Sequence, residues 1–233
     1  MRQIPLGLRL PDRASFASFL GARNLEALEH ARRVAAGEVT GLSWYFGPEG
    51  VGKTHLLQAI CAAASERVRA GYLPLAEVAA LGVGVLEGLP ALDCLCVDDL
   101  ERVVGRLEWE QALFGVLREL GEHGGTCVMA AVSAPALLPW ALADLGSRCG
   151  AGALMPLRPM DEAEQGEALK LRARLRGFEL PDETLHWLLR RFPRDMGSLY
   201  ALLDALDEAA LVAQRRLTIP FIREVLISRT GGG

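Results

Sequence analysis

The chain has 233 residues, of which 51% are hydrophobic and 23% are charged, and its formal net charge is −4. This composition provides enough apolar side chains for a packed core and excludes a disordered chain. No dense run of Lys and Arg is present. The composition therefore argues against unaided binding to nucleic acid, which needs a basic surface.

The cysteines and histidines lack the spacing of a metal site. Five cysteines are scattered along the chain, and Cys94 and Cys96 lie one residue apart in an apolar run, as core residues of a strand do. We expect reduced core thiols, which are typical of a cytoplasmic protein. No apolar stretch is long enough to span a bilayer, and prolines and charges interrupt the N-terminus. We therefore expect a cytoplasmic protein with no membrane partner.

In chain order, the pattern alternates between helices and strands as far as Pro159. Strands are predicted over residues 42–46, 72–75, 92–97, 126–132 and 153–157. Helices are predicted over residues 24–36, 53–70, 76–86, 107–123 and 136–145. This alternation predicts an α/β domain in which helices flank a five-stranded parallel sheet.

After Pro159 the pattern is helical only. Helices are predicted over residues 161–176, 181–192, 195–214 and 220–228. Asp161 is followed three residues later by Glu164, the spacing of a capping box. We predict three segments, which are a tail over 1–12, an α/β domain over 13–158 and a small all-helical domain over 159–233.

A phosphate-binding loop is predicted at Gly47-Pro-Glu-Gly-Val-Gly-Lys-Thr54, which satisfies the pattern G-x-x-x-x-G-K-[ST]. The glycines allow successive backbone amides to form an anion nest at the start of a helix. Lys53 adds a positive charge at the phosphates, and the Thr54 hydroxyl is a ligand for Mg²⁺. A strand before the loop and a helix after it favour a nucleotide, ADP or ATP, over an incidental glycine turn. The predicted contacts within the loop are Gly47, Gly50, Val51, Gly52, Lys53 and Thr54.

A second element is the apolar run that ends in Asp98 and Asp99. In nucleotide-hydrolysing proteins such a strand holds the hydration shell of Mg²⁺ with its first carboxylate, here Asp98. Asp99 is then the residue that orients an attacking water. Carboxylates often end strands, so the run alone is weak evidence. Its place downstream of the phosphate-binding loop strengthens the prediction.

Two further features allow more than one interpretation. Arg148 lies between the predicted helix and the fifth strand, and its spacing fits a surface arginine as well as an arginine finger that reaches a neighbour's nucleotide. The N-terminal stretch Gln3-Ile-Pro-Leu-Gly-Leu8 places a glutamine before spaced aliphatic residues, a format used in peptide recognition. From its residues alone, a disordered or β-paired tail is favoured.

Together these parts resemble the AAA+ ATPases, and within them the DnaA-like branch that includes the Hda-type regulators. The similarity is carried by Ser15–Gly21, Asn24, Gly47–His55, Leu171–Pro181 and Ala213–Ile222. It implies an AAA+ domain followed by a helical lid. It also implies nucleotide contacts at Asn24 and His55.

The resemblance implies a mechanism as well. Hda-type proteins bind the sliding β clamp of DNA polymerase III through an N-terminal motif, contact DNA mainly through partners and promote hydrolysis of DnaA-bound ATP. This implies a negative regulator of DNA replication initiation, with Arg148 as an arginine finger acting in trans. It also implies at least a transient subunit contact, with a homodimer as one option. The implied clamp contacts are Gln3, Ile4, Leu6 and Leu8.

The chain departs from the family pattern at its two sensor positions. Ser133 stands near the first, and Gly197 stands at the second, with Arg194 one turn earlier as a substitute. These departures favour a partner that holds a nucleotide, ADP above all, over a motor. The alternatives are a helicase-loader-type ATPase that turns over its own ATP, and a nucleotide-gated adaptor for another replisome partner.

Overall fold

The structure is a computed structural model that describes residues 14–19, 22–192, 196–213 and 218–230. The described residues form two compact units, divided after Arg158. The first, here the α/β unit, contains residues 14–19 and 23–158. The second, here the helical unit, begins at Pro159.

The α/β unit is built on one five-stranded parallel sheet with the strand order β2-β3-β4-β1-β5. The central strands are continuous apolar runs, and every residue of β3 and β4 is buried. Such runs are typical of parallel strands covered on both faces. The strands are β1 (Gly41–Phe46), β2 (Ala70–Pro74), β3 (Cys94–Asp98), β4 (Thr126–Ala131) and β5 (Ala153–Pro156).

Helices cover both faces of this sheet. They are α1 (Leu25–Ala35), α2 (Lys53–Ser65), α3 (Leu75–Val78), α4 (Leu107–Glu122) and α5 (Ala143–Gly150). Neighbouring residues of β1 point to opposite faces, as strand geometry requires. Trp44 packs in the cluster that contains α4 and α5, and Tyr45 packs in the cluster that contains α1 and α2.

The helical unit consists, in the part of the chain described, of α6 (Glu162–Leu175), α7 (Asp182–Arg191), α8 (Met196–Ala213) and α9 (Ile219–Thr230). The predicted capping box is confirmed, because Asp161 accepts a hydrogen bond from the Glu164 amide and Glu164 accepts one from the Asp161 amide, both at 3.0 Å. The apolar faces of the four helices share one core, in which Leu203, Leu206 and Ile222 are fully buried.

Two predicted helices are wrong in their extent. The helix predicted over 76–86 is one turn, α3, followed by short 3₁₀ turns, because Gly82 takes a positive φ of 85° that breaks the helical backbone. The helix predicted over 136–145 is α5 instead, which begins at Ala143. Gly146 lies inside this helix. It packs against the Trp140 ring, where a Cβ atom would come within 2.5 Å, so a side chain is excluded at this position.

All five cysteines are buried and free. In the described part of the chain, no helix combines the length and apolarity needed to cross a membrane. No group of three or more His, Cys, Asp and Glu residues there is placed to hold a metal ion.

Half-buried ion pairs join α6 to α8 in the helical unit. Arg172 donates two hydrogen bonds to the Asp204 carboxylate, at 3.1 and 2.8 Å. Arg176 contacts Asp204 at 3.0 Å and Asp207 at 2.9 Å. Because the side chain of Arg176 is only 11% exposed, its charge depends on these carboxylates.

We expect Asp204→Ala to destabilise the helical unit by about 2 kcal/mol, because it leaves two partly buried guanidinium groups short of a partner. Hydrogen exchange of the amides in α6 and α8 measures the effect locally. The control is Asp182→Ala, which removes a pair with Lys170 in which Asp182 is 72% exposed. That change is expected to lower the protection much less, because solvent screens an exposed pair. Equal protection in the two variants would contradict the prediction.

Candidate functional site

The phosphate-binding loop lies between the end of β1 and the start of α2, as predicted. Gly52 caps α2 with a φ of 101°, a conformation that favours glycine. At Gly47 a Cβ atom would come within 2.5 Å of the Leu157 carbonyl oxygen, so a side chain is excluded there. Gly50 lies in the same turn, and Val51 is buried beneath it.

Lys53 is held inside the curl of this loop. Its Nζ donates hydrogen bonds to the carbonyl oxygens of Gly47, at 2.8 Å, and Pro48, at 2.9 Å. The residue is only 7% exposed. The ammonium charge is therefore fixed at the start of α2, where backbone amides and the helix dipole also favour an anion.

The two residues after Lys53 lie in the first turn of α2. Thr54 is exposed, so its hydroxyl is accessible to a ligand. His55 contacts the segment before α1, because its Nε2 lies 3.1 Å from both Ser18 Oγ and the Ser15 carbonyl oxygen. Its ring also lies 5.9 Å from the Phe19 ring. His55 thus anchors the segment before α1, which belongs to the stretch that carries the family resemblance.

The Asn24 side chain forms hydrogen bonds to the backbone through both its amide nitrogen and its amide oxygen. Its Nδ2 donates to the Arg158 carbonyl oxygen at 2.9 Å, and its Oδ1 accepts from the Arg158 amide at 2.8 Å. The residue is only 2% exposed. It therefore pins the start of α1 to the chain after β5, and its direct contact with a nucleotide stays a prediction.

Asp98 ends β3 as a fully buried carboxylate. Its Oδ2 accepts a hydrogen bond from the Tyr72 hydroxyl at 2.8 Å, and its Oδ1 accepts one from the Asp99 amide at 3.0 Å. The sequence analysis missed Tyr72. The signal in the sequence was a polar aromatic residue in the strand before β3. It points to Asp98 only once the pairing of those two strands is known.

Asp99 has both an unusual backbone conformation and a shifted pKa. Among the described non-glycine residues it alone has a positive φ, at 56°. Its pKa is raised to about 6, mainly by burial of the carboxyl group and also by the negative charges of Asp98 and Glu101. Lys53 lies near enough to lower this pKa in part. The structure thus brings Lys53, Asp98 and Asp99 to one edge of the sheet.

Oxygen ligands at this edge suit a magnesium ion. Mg²⁺ is usually held by one or two protein oxygens together with phosphate oxygens and water. The Asp98 carboxylate and the Thr54 hydroxyl supply that kind of ligand, and no larger cluster of ligands is present among the described residues. These residues therefore fit the predicted ion.

Arg148 lies within α5 and not, as predicted, after the helix. The prediction ended the helix too early, whereas Leu145 and Cys149, four residues apart, both bury their side chains and extend it. The exposed guanidinium donates to the Leu117 carbonyl oxygen at 3.3 Å and lies 5.8 Å from the centre of the Phe114 ring. Both contacts are with α4, on the sheet face opposite α2.

Comparison with known proteins identifies both units. Residues 161–226 match the family model of the Hda lid domain. The whole chain is similar in fold to domain III of the replication initiation protein DnaA from Thermotoga maritima. The TM-score is 0.79 and the identity is 22%, over 94% of this chain and 97% of that one. The chain therefore carries an Hda-type lid domain within a DnaA-like fold.

Two further solved structures share the fold of this chain. AMPPCP-bound DnaA from Aquifex aeolicus has a TM-score of 0.69 and an identity of 23%, over 84% of this chain and 66% of that one. A variant of Thermotoga maritima RuvB has a TM-score of 0.68 and an identity of 21%, over 92% of this chain and 72% of that one. The predicted fold class, an AAA+ domain followed by a helical lid, is confirmed.

Two of the three residues predicted at or near the sensor positions lie within the described part of the chain. Ser133 follows β4 and is half-buried, and its carbonyl oxygen accepts a hydrogen bond from Trp44 Nε1 at 3.0 Å. Gly197 lies in the first turn of α8. Arg194 lies outside the described residues, as do the predicted clamp contacts Gln3, Ile4, Leu6 and Leu8.

We expect Lys53→Met to weaken ADP and ATP binding by about 10- to 100-fold, or about 1.4 to 2.7 kcal/mol, because it removes the fixed charge of the loop. Isothermal titration calorimetry measures both nucleotides directly. The control is Lys170→Met on α6, which changes a lysine of the helical unit. Unchanged affinity in the Lys53 variant would show that this loop does not hold the phosphates.

We expect Asp99→Asn to remove a pH dependence of stability in the nucleotide-free protein without divalent cations. The folded pKa of about 6 exceeds the unfolded value of about 3.9, so the parent loses stability as the pH rises between them. The carboxyl group is only half-buried, so solvent screening reduces the effect. We expect the free energy of unfolding of the variant, relative to that of the parent, to be about 1 kcal/mol higher at pH 7.5 than at pH 4. Urea denaturation at both pH values measures it. A parallel shift at both pH values would contradict the assignment.

Proposed function

We propose that this protein is a negative regulator of DNA replication initiation that stimulates hydrolysis of DnaA-bound ATP. The observation that carries the proposal is the Hda lid match in a chain whose AAA+ domain presents an arginine, Arg148, on its surface. In this mechanism the protein binds the sliding β clamp of DNA polymerase III and docks on DnaA. DNA is contacted mainly through these partners.

The placement of Arg148 supports action in trans. Its guanidinium contacts α4 on the face of the sheet opposite α2, so it serves groups outside its own phosphate-binding loop. One long hydrogen bond and one aromatic contact hold it there, worth together on the order of 1 kcal/mol at an exposed site. Docking on DnaA therefore releases the side chain at small cost. It then stabilises the negative charge that develops on the phosphate undergoing transfer.

The protein's own nucleotide has a structural role in this proposal. The fixed ammonium of Lys53 and the backbone N–H groups of Gly50 and Gly52 bind its phosphates. Thr54 and Asp98 would hold Mg²⁺, which neutralises phosphate charge when bound. With Ser133 and Gly197 at the sensor positions, ADP is the ligand that suits this role. The bound nucleotide keeps the α/β unit in the conformation that docks on DnaA.

We expect Arg148→Ala to reduce the stimulation of DnaA-bound ATP hydrolysis by at least about 100-fold, because an arginine finger contributes about 10³- to 10⁵-fold in rate. Arg148→Lys keeps the charge but loses the planar fork, so it is expected to recover only a small part. The assay uses ATP-loaded DnaA with clamp loaded on DNA. Arg33→Ala, an exposed arginine on α1, is the matched control. Equal activity of all four proteins would refute the role of Arg148.

We expect Gln3→Ala, and Leu6→Ala with Leu8→Ala, to weaken binding to the β clamp by at least about 10-fold, since each removes a recognition contact of the tail. Surface plasmon resonance on immobilised clamp measures the affinity. Arg9→Ala changes the same tail outside the motif and is the control. If removal of residues 1–8 left clamp binding intact, the tail would not be the clamp site.

A helicase-loader-type ATPase is the second candidate. The observation in its favour is Asp99, whose pKa of about 6 suits a group that accepts a proton from water near neutral pH. Robust turnover of ATP by the protein alone, indifferent to clamp and abolished by Lys53→Met, would support this candidate over regulation of DnaA.

A further inference from the structure

An open groove of about 510 Å³ lies on the surface of the helical unit, between α7 and the start of α9. Its volume is within the range of ligand sites in proteins. The groove is outside the nucleotide site and outside the motifs that the proposed function uses. Its lining consists of Glu183, His186, Trp187, Arg190, Arg191 and Ile219.

Trp187 is the centre of an aromatic and cationic cluster in this groove. The guanidinium of Arg191 lies 5.5 Å from the centre of its ring, and that of Arg223, from α9, lies 5.8 Å from it. The Phe192 ring meets Trp187 edge to face at 6.1 Å. The indole remains half-exposed, so part of its π-surface faces solvent.

Arg190 and Arg191 line this groove, and Arg223 lies beside it, against the Trp187 ring. Within the described part of the chain, Arg190, Arg191 and Arg223 form no ion pair, although all three are exposed. The same unit pairs other cations closely, because Arg172 meets Asp204 at 2.8 Å and Lys170 meets Asp182 at 2.7 Å. Among the described residues that line the groove, two arginines stand against one carboxylate, that of Glu183, so the lining carries an excess of positive charge.

Helix electrostatics explain only part of this concentration. Arg190 and Arg191 lie in the last turn of α7, where the helix dipole favours cations. Arg223 lies in the second turn of α9, near the end that favours anions, and gains nothing from that dipole. The helix dipole therefore does not explain why Arg223 lies beside Trp187.

We propose that this groove binds single-stranded nucleic acid. A planar base stacks on the exposed part of the Trp187 ring and on the guanidinium planes beside it, as bases do in single-strand binding proteins. Arg190 and Arg223 neutralise the flanking phosphates. In a duplex the bases are already stacked on each other, so the indole discriminates a single strand from duplex DNA.

The binding is local and weak. The chain carries a net charge of −4, so only the groove contributes attraction, and charges beyond about 8 Å are screened at physiological salt. Three arginines predict a slope of log affinity against log salt of about −2 for a single strand. This contact is independent of the clamp tail and of Arg148, and its failure would leave the proposed function intact.

The test is fluorescence anisotropy of a labelled twelve-residue oligothymidylate with the full chain at 50 mM salt. We expect saturable binding in the range of about 10⁻⁶ to 10⁻⁴ M, as for non-specific complexes. Trp187→Leu is expected to weaken it by about 5-fold or more, since stacking is lost. Arg190→Ala with Arg223→Ala is expected to weaken it further and to reduce the salt slope by about 1.4.

Two controls make the outcome decisive. Arg174→Ala removes an exposed arginine of α6 outside the groove, and Arg33→Ala removes an exposed arginine of the α/β unit; both are expected to bind like the parent. Far-ultraviolet circular dichroism confirms that the variants fold. The proposal is overturned if the Arg190 and Arg223 variant binds like the parent, if duplex DNA binds as tightly as the single strand, or if a poly-glutamate peptide binds better than either.

Discussion

The fully buried carboxylate of Asp98 is the constraint on which the candidate nucleotide-binding edge of the sheet depends. A charge removed from water is tolerated only when hydrogen bonds replace its solvation. The Tyr72 hydroxyl and the Asp99 amide supply those bonds. They tie β2 to β3 and fix the turn after β3. The same turn places Asp99 in a left-handed conformation, half-buried beside a second negative charge, which raises its pKa.

The positive side of the site is fixed in a complementary way. Lys53 is almost completely buried and hydrogen-bonded to two carbonyl oxygens of its own loop. This prearranged edge suits tight retention of a phosphate group. Arg148, by contrast, is exposed and weakly held on another helix. The contrast between a fixed lysine and a releasable arginine is what a protein needs if it holds one nucleotide and acts on another.

The sequence predicted the fold well because the strongest signals were local. Continuous apolar runs identified β3 and β4, and the glycine pattern identified the turn from β1 to α2. The predicted helix bounds were wrong where tertiary contacts decide them, as in α5, in which Leu145 and Cys149 bury their side chains on either side of Gly146. Tyr72 was missed because its role depends on which strands pair. The nucleotide contact of Asn24 came from the family resemblance and stays a prediction, because the structure shows its side chain bonded to the Arg158 backbone.

A double-label hydrolysis experiment tests the central claim most directly. DnaA is loaded with one isotopically labelled ATP and this protein with another, and both are combined with clamp on DNA. The account predicts that the nucleotide on DnaA is converted to its diphosphate while the one bound through Lys53 stays unchanged over the same time. Conversion of the nucleotide on this protein, with that on DnaA intact, would contradict the account.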